Sequence, residues 1–357
     1  MPSNLGPGLL ADRFNTLFYD PEAHAVVVLD RRHYPFERRY EVCRTLEEVA
    51  HAIEAMIVQG GPPLAYVAGL GLALLAHQVR ERGSTDQVVA LSQAAERLLA
   101  TRPTADDLHH IVPEALRRGL AAIERGESAH AAILEYVNGE IERGNRVAEA
   151  CGRHAAALLA NGDRILTHCY PGAALNYMLY YAQQGGKALE LIACETRPYF
   201  QGARLTASQA VEIGIPVTVI TDGMAAFLMS QGRVTKYVTA ADRIALDGSI
   251  ANKVGTFEHA IAAHYHTIPF YVLGYDGPDP HTPTGADIPV EMRDPAEVLE
   301  CGGRPTAVAG VSALYPAFDI TPPDLITAIV TERGVFRPAD MRAYWEHTSQ
   351  RDNKSIR

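Results

Sequence analysis

From Asp163 onward the chain alternates between short apolar runs and segments of helix length. The runs are RILTH from Arg164, ALELIAC from Ala188, PVTVIT from Pro216, KYVTA from Lys236 and PFYVLG from Pro269. Each is too short for a helix, and the segments between them are long enough to cross back over a sheet. This pattern predicts βαβ units and a mostly parallel sheet. Right-handed crossovers then bring the C-terminal ends of the strands to one edge, where such sheets bind ligands. His168-Cys169, Glu195, Thr221-Asp222 and Asp242 all fall at those ends.

The preceding half reads differently. A short β-like opening, AVVVLD at Ala25–Asp30, is followed by mainly helical patterns. TLEEVAHAIEAMIVQG has helical spacing and stops at Gly60-Gly61-Pro62-Pro63, a strong breaker. Further helical stretches cover Gln87–Ala100, Thr104–Arg125 and Ala129–Ala160. The expected architecture is α/β: a smaller, mainly helical N-terminal domain with a short β opening (residues 1–128), a connecting helix (129–160) and a mostly parallel sheet domain (161–357). The polar tail RDNKSIR is expected to fray.

Composition narrows the function classes. A net charge of −10 with no basic face argues against nucleic acid as a partner, although a few focused cations still suffice for a small anion. Five widely spaced cysteines with no CxxC pair read as reduced thiols, which fits the cytoplasm. MPSNLGPGLLADRF does not read as a signal peptide, and LAYVAGLGLALLAH from Leu64 is too short and glycine-rich to span a membrane, so it reads as a buried helix.

Cys169 lies in a strand-to-helix turn, where a helix N-terminus would lower its pKa. The plainer reading is a small buried apolar residue. Asp242 can be a turn former or a carboxylate facing a ligand, and Asn252-Lys253 is expected to open a helix. Gln59-Gly60-Gly61 can present backbone N–H groups to a phosphate or simply cap a helix C-terminus. Arg102 is either an anion clamp or a partner of Asp106 or Asp107, and Glu195 and Arg197 can pair with one another. His264-Tyr-His266 and His109-His110 lack a third ligand at workable spacing, so no metal site is expected. No GxSxG, Walker or strand-linked GxGxxG motif occurs, which weighs against hydrolase, NTPase and dinucleotide chemistry.

Longer blocks carry a family resemblance. THCYPG at Thr167–Gly172, ETRPYFQGARLTA at Glu195–Ala207, ITDGMAAFLM at Ile220–Met229, ADRIALDGSIANKVGT at Ala241–Thr256 and PAFDITPPDLITAIVTERG at Pro316–Gly334 resemble the methylthioribose-1-phosphate isomerase family. The wider group includes ribose-1,5-bisphosphate isomerases and the non-enzymatic regulatory subunits of translation initiation factor 2B. The resemblance implies a Rossmann-like C-terminal domain, a homodimer and cofactor-free conversion of a 5-substituted ribose 1-phosphate to the ribulose 1-phosphate. It implies Cys169 and Asp242 as the catalytic pair, Arg102, Gln201, Asn252 and Lys253 as substrate contacts, and Gln59, Gly60 and Gly61 as the phosphate-side loop. Retention of Cys169 and Asp242 favours an enzyme over a regulatory homologue. No extra basic cluster is evident for a 5-phosphate.

The chain also departs from the family pattern. Gln59-Gly60-Gly61-Pro62 stands where the loop usually reads Arg-Gly-Ala-Pro, so a guanidinium is missing. Tyr170 replaces an Asn and is followed by Pro171; Ala240 replaces a Gly, Gly223 an Asn, Tyr315 an Asn and Cys194 an Asp. The two added tyrosines are expected to alter the pocket, with 5-methylthioribose 1-phosphate still the leading substrate.

Overall fold

The computed structural model describes residues 10–103 and 105–345. The RDNKSIR tail, the first nine residues and Thr104 lie outside the described residues. The chain divides into two compact units, Met1–Arg146 and Val147–Arg357.

The first unit opens with an antiparallel sheet of β1 (Leu17–Asp20), β2 (Ala25–Leu29) and β3 (Tyr40–Cys43), with β2 central and buried throughout. Helices α1 (Leu46–Glu54), α2 (Gly61–Gln78), α3 (Ser84–Leu99) and α4 (Asp106–Glu124) follow, then α5 (Ala129–Ala157), which runs past the unit boundary. A capping box starts α1: Thr45 Oγ1 accepts from the Glu48 N–H, and the Glu48 carboxylate accepts from the Thr45 N–H. The Gly-Gly-Pro-Pro breaker also begins a helix, because Gly60 caps α2 and the prolines need no N–H partner in its first turn. Residues on nearly every side of α2 are buried, as expected of an almost wholly apolar helix.

In the second unit, seven described strands hydrogen-bond in the order β15-β14-β10-β7-β4-β5-β6. They are β4 (Arg164–Thr167), β5 (Glu190–Cys194), β6 (Val217–Ile220), β7 (Lys236–Ala240), β10 (Phe270–Tyr275), β14 (Ala328–Thr331) and β15 (Gly334–Phe336). All neighbours are parallel except β14 and β15. Helices α6 (Ala173–Gln184), α7 (Ala207–Ile213), α8 (Ala225–Ser230) and α9 (Thr256–Tyr265) connect strands. Adjacent residues of one strand serve opposite faces: Ile165 packs with α6 and Ala210 of α7, while Leu166 packs with Met229 of α8 and Ala260 of α9. This two-sided burial explains the continuous apolar runs.

The expectation for Asn252-Lys253 is corrected. Ile250–Lys253 forms strand β9, paired antiparallel with β8 (Arg243–Ile244) and β13 (Phe318–Thr321), and α9 starts only at Thr256. All four β9 side chains are buried, and its backbone is paired on both edges. Glu300–Cys301 (β11) and Arg304–Pro305 (β12) form a small exposed ribbon.

Candidate active site

Strand order places a switch point at β4. The chain proceeds outward from β4 through β5 to β6, then returns with β7 on the other side of β4. Crossovers that diverge this way open a crevice beyond the strands' C-terminal ends. Cys169 follows the end of β4 and Asp242 the end of its parallel neighbour β7.

Cys169 has φ 65°, in the left-handed region uncommon for a side-chain-bearing residue. Its N–H donates to Thr196 Oγ1 at 2.9 Å and its carbonyl accepts from Thr206 Oγ1 at 2.7 Å. Thr196 is held in turn by its N–H, which donates to Asp222 Oδ1 at 2.8 Å. The ends of β5 and β6 thus brace the turn that presents the thiol. The expected lowering of the Cys169 pKa is corrected: burial, and secondarily the Asp242 charge, push it up to about 11. Helix α6 begins at Ala173, and the Ala174 N–H donates to the Tyr275 hydroxyl at 3.2 Å.

Asp242 is accessible from the crevice, but the protein around it raises its pKa to about 6. The cations Lys253 and Arg293 oppose that rise, and Glu291 adds to it. Lys253 is only 3% exposed, with Nζ 3.5 Å from the Tyr315 hydroxyl and 5.2 Å from the Phe318 ring centroid. Burial, then Arg293, lowers its pKa.

Gln201 Nε2 lies 3.5 Å from Cys169 Sγ, and its buried Oε1 has no hydrogen-bond partner among the described residues. An acceptor left unsatisfied at such a position calls for a donor from a ligand. Asn252 donates both amide hydrogens internally, to Thr239 Oγ1 at 3.2 Å and Thr256 Oγ1 at 2.9 Å, so it ties β7 to the start of α9. The structure therefore brings together Cys169 and Asp242, just past β4 and β7, Gln201, in the segment after β5, and Asn252 and Lys253, in β9.

The other candidates lie in the first unit. Gln59 Nε2 donates to the Met56 carbonyl at 3.1 Å and Arg102 Nη1 lies 2.7 Å from Met56 Sδ, so both gather at one loop. Gly60 and Gly61 head α2, an N-terminus rather than the alternative C-cap. A Cβ at Gly61 would stand 2.2 Å from Asp107 Oδ2, so a larger residue there would need that carboxylate to turn aside.

Arg197 donates to the carbonyls of Val298 at 3.1 Å and Glu300 at 2.9 Å, which fixes a loop instead of a Glu195 pair. Of the added tyrosines, Tyr315 lies beside Lys253, whereas Tyr170 accepts from Gln209 Nε2 at 2.8 Å within the helix packing. Sequence reasoning missed Arg293, whose guanidinium bonds Glu291 at 3.1 Å and lies 5.8 Å from the Phe318 ring. It sits in an irregular segment, VEMRDP, with no periodicity or motif to single it out. A mainly apolar cavity of about 160 Å³ adjoins Tyr315, lined by Pro198, Val254, Val298, Leu314 and Pro316.

A family model described as the initiation factor 2 subunit family matches residues 57–338. A methylthioribose-1-phosphate isomerase of Chloroflexus aurantiacus is 40% identical over 334 residues, covering 90% of this chain and 95% of the relative. The chain belongs to the methylthioribose-1-phosphate isomerase family. The isomerase of Thermotoga petrophila is 42% identical over 322 residues, 87% of this chain and 92% of its own. The solved 5-methylthioribose 1-phosphate isomerase of Pyrococcus horikoshii is 33% identical with a TM-score of 0.82, covering 94% of this chain and 95% of that one. A structure described as translation initiation factor eIF-2B subunit delta from A. fulgidus is 34% identical with a TM-score of 0.80, covering 91% and 96%. The fold of the family is thus shared by enzymes and by proteins described as initiation-factor subunits.

Proposed function

We propose that this chain converts 5-methylthioribose 1-phosphate to the corresponding ribulose 1-phosphate, with Asp242 as general acid. The observation that carries this reading is Asp242 itself: an accessible carboxyl at a switch point, held near pKa 6 with a cysteine at the neighbouring strand end. A sugar phosphorylated at C1 cannot open its ring until the ring oxygen is protonated. At pH 7 a group of that pKa holds its proton in about one molecule in ten, enough to serve as an acid that is readily reloaded. Protonation breaks the C1–ring-oxygen bond and leaves C4 with a hydroxyl and C1 electron-poor. Hydrogen then moves from C2 to C1 while the C2 hydroxyl loses its proton, giving the C2 ketone.

The raised Cys169 pKa favours a direct hydride shift over abstraction of the C2 proton by a thiolate, because near neutrality the sulfur keeps its proton. Cys169 then shapes the dry floor on which C1 and C2 lie. Lys253 supplies positive charge for the phosphate, and Gln201 Oε1 an acceptor for a sugar hydroxyl. Gln59, Gly60, Gly61, Arg102 and Asn252 are assigned to substrate binding on the family resemblance.

The apolar cavity beside Tyr315 supports a methylthio group over a second phosphate at C5, since among its described lining residues the one cation, Arg197, is already bonded to two carbonyls. A homodimer in the cytoplasm completes the proposal; among the described residues no helix is long and apolar enough to cross a membrane. The test is a panel of ribose 1-phosphates differing at C5, followed by NMR, with deuterium at C2. We expect fastest turnover of the methylthio compound and deuterium retained at C1. Preference for the 5-phosphate, or washout of deuterium into water, would refute the substrate or the hydride assignment respectively.

A further inference from the structure

Three buried side chains that the proposed reaction does not use meet within the second unit: His168 beyond β4, Cys194 at the end of β5 and His259 in α9. They are 1%, 0% and 2% exposed, and one ligand atom of each lies within 4.8 Å of those of the other two. The imidazole centroids are 4.8 Å apart at an interplanar angle of 76°.

Hydrogen bonding fixes what each ring offers. His168 Nε2 is 2.9 Å from the Val254 carbonyl, and His259 Nε2 is 3.0 Å from the Asp222 carbonyl. A carbonyl only accepts, so each Nε2 carries the proton and each Nδ1 keeps a lone pair. Both rings are neutral, since burial drives their pKa values down, that of His168 to about 3. Neither Nδ1 has a hydrogen-bond partner among the described residues, and both are buried. The single weak S–H of Cys194 cannot satisfy two such lone pairs at once. Imidazoles anchored through one N–H to backbone carbonyls, with the other nitrogen unprotonated, are in the form in which histidine ligates metals.

Charge and softness agree. The Asp222 carboxylate lies 3.8 Å from His168 Nδ1 and is anchored by the N–H groups of Thr196 and Arg197 at 2.8 Å each. Two neutral imidazoles, one thiolate and one carboxylate balance a divalent cation. Cys194 supplies a soft sulfur donor beside the two ring nitrogens. We propose that His168, Cys194 and His259 bind a zinc-class divalent transition-metal ion, with Asp222 completing a four-coordinate set. Around a tetrahedral zinc such ligand atoms are separated by roughly 3.5 Å, so loading draws the trio in by about 1 Å. Binding releases the thiol proton as the sulfur–metal bond forms. The ion would pin the ends of β4 and β5 to α9, and with them the Cys169 turn, without touching the sugar.

The test uses the full-length protein, stripped with a chelator and titrated with Co²⁺, then with Zn²⁺. We expect one equivalent of cobalt per chain, intense visible bands of a tetrahedral centre, a near-ultraviolet thiolate-to-cobalt band, and displacement of all three by zinc. Cys194→Ser should remove the thiolate band, His259→Gln should weaken binding by about tenfold or more, and Cys301→Ser, at an exposed thiol, should change nothing. Circular dichroism checks folding; if Cys194→Ser does not fold, the wild-type spectrum and His259→Gln decide. No bound cobalt in the wild type, a thiolate band that persists in Cys194→Ser, one that vanishes in Cys301→Ser, or unweakened binding in His259→Gln would overturn the proposal.

Discussion

Asp242 can act as an acid only while it holds its proton, so its environment sets the pH range of the reaction. Its folded pKa of about 6 lies above the ordinary 3.8 because the protein packed around the carboxyl takes away part of its hydration and so disfavours the charged form. kcat/KM should therefore fall above about pH 6 along a limb governed by one group, and that limb should be lost together with activity in Asp242→Asn. The same shift bears on stability: the protonated carboxyl favours the folded state below the unfolded pKa, and this contribution disappears as pH rises from about 4 through 6. Denaturant midpoints of Asp242→Asn should depend less on pH across that window than those of the wild type; Asp319, also raised to about 6, supplies a remaining slope. Arg293 pulls the Asp242 pKa down, so in Arg293→Gln the falling limb should move to higher pH, as pH–rate profiles would record. An unmoved limb would separate Arg293 from the acid.

Elements place these residues through contacts that tolerate little. The π-helical turn Gly202–Thr206 follows Gln201 directly and leads into α7. A Cβ at Gly202 would stand 1.8 Å from the Cys194 carbonyl and 2.8 Å from Thr196 Oγ1, and β5, paired on both edges, cannot move aside. Gly202→Ala should cost about 1–3 kcal/mol by urea unfolding and lower kcat by displacing Gln201. At this scale the sequence was most legible where periodicity carries information. Strands β4, β5, β7 and β10 are largely covered on both faces and read as apolar runs, and Cys169 and Asp242 follow from where such runs end. Strand β9 was not legible, since four residues reading Ile-Ala-Asn-Lys show neither alternation nor length and become a strand only through β8 and β13. The Cys169 pKa was misread because a helix N-terminus was assumed at the thiol, whereas burial dominates. Arg293 and the His168–Cys194–His259 trio come from distant segments that only the folded topology brings close.

On the scale of the whole molecule, the proposed homodimer needs a surface to bury. The edge strand β6 exposes Val219, and Val211 and Phe227 in α7 and α8 are each 65% exposed. Sedimentation equilibrium should give twice the chain mass, and Phe227→Glu should shift the population towards monomer; a wild-type monomer at micromolar concentration would remove the dimer from the account. The family fold, with a carboxyl and a thiol at its switch point, isomerises a sugar phosphate in the proposed reaction. That reaction is tested most directly by a carbon-13 NMR time course of 5-methylthioribose 1-phosphate with wild type and Asp242→Asn. A C2 ketone resonance should grow at the expense of the anomeric C1 signal with wild type, and at least about 100-fold more slowly with the variant. A wild type that leaves the aldose untouched, or an Asp242→Asn variant that turns it over at the wild-type rate, would contradict it.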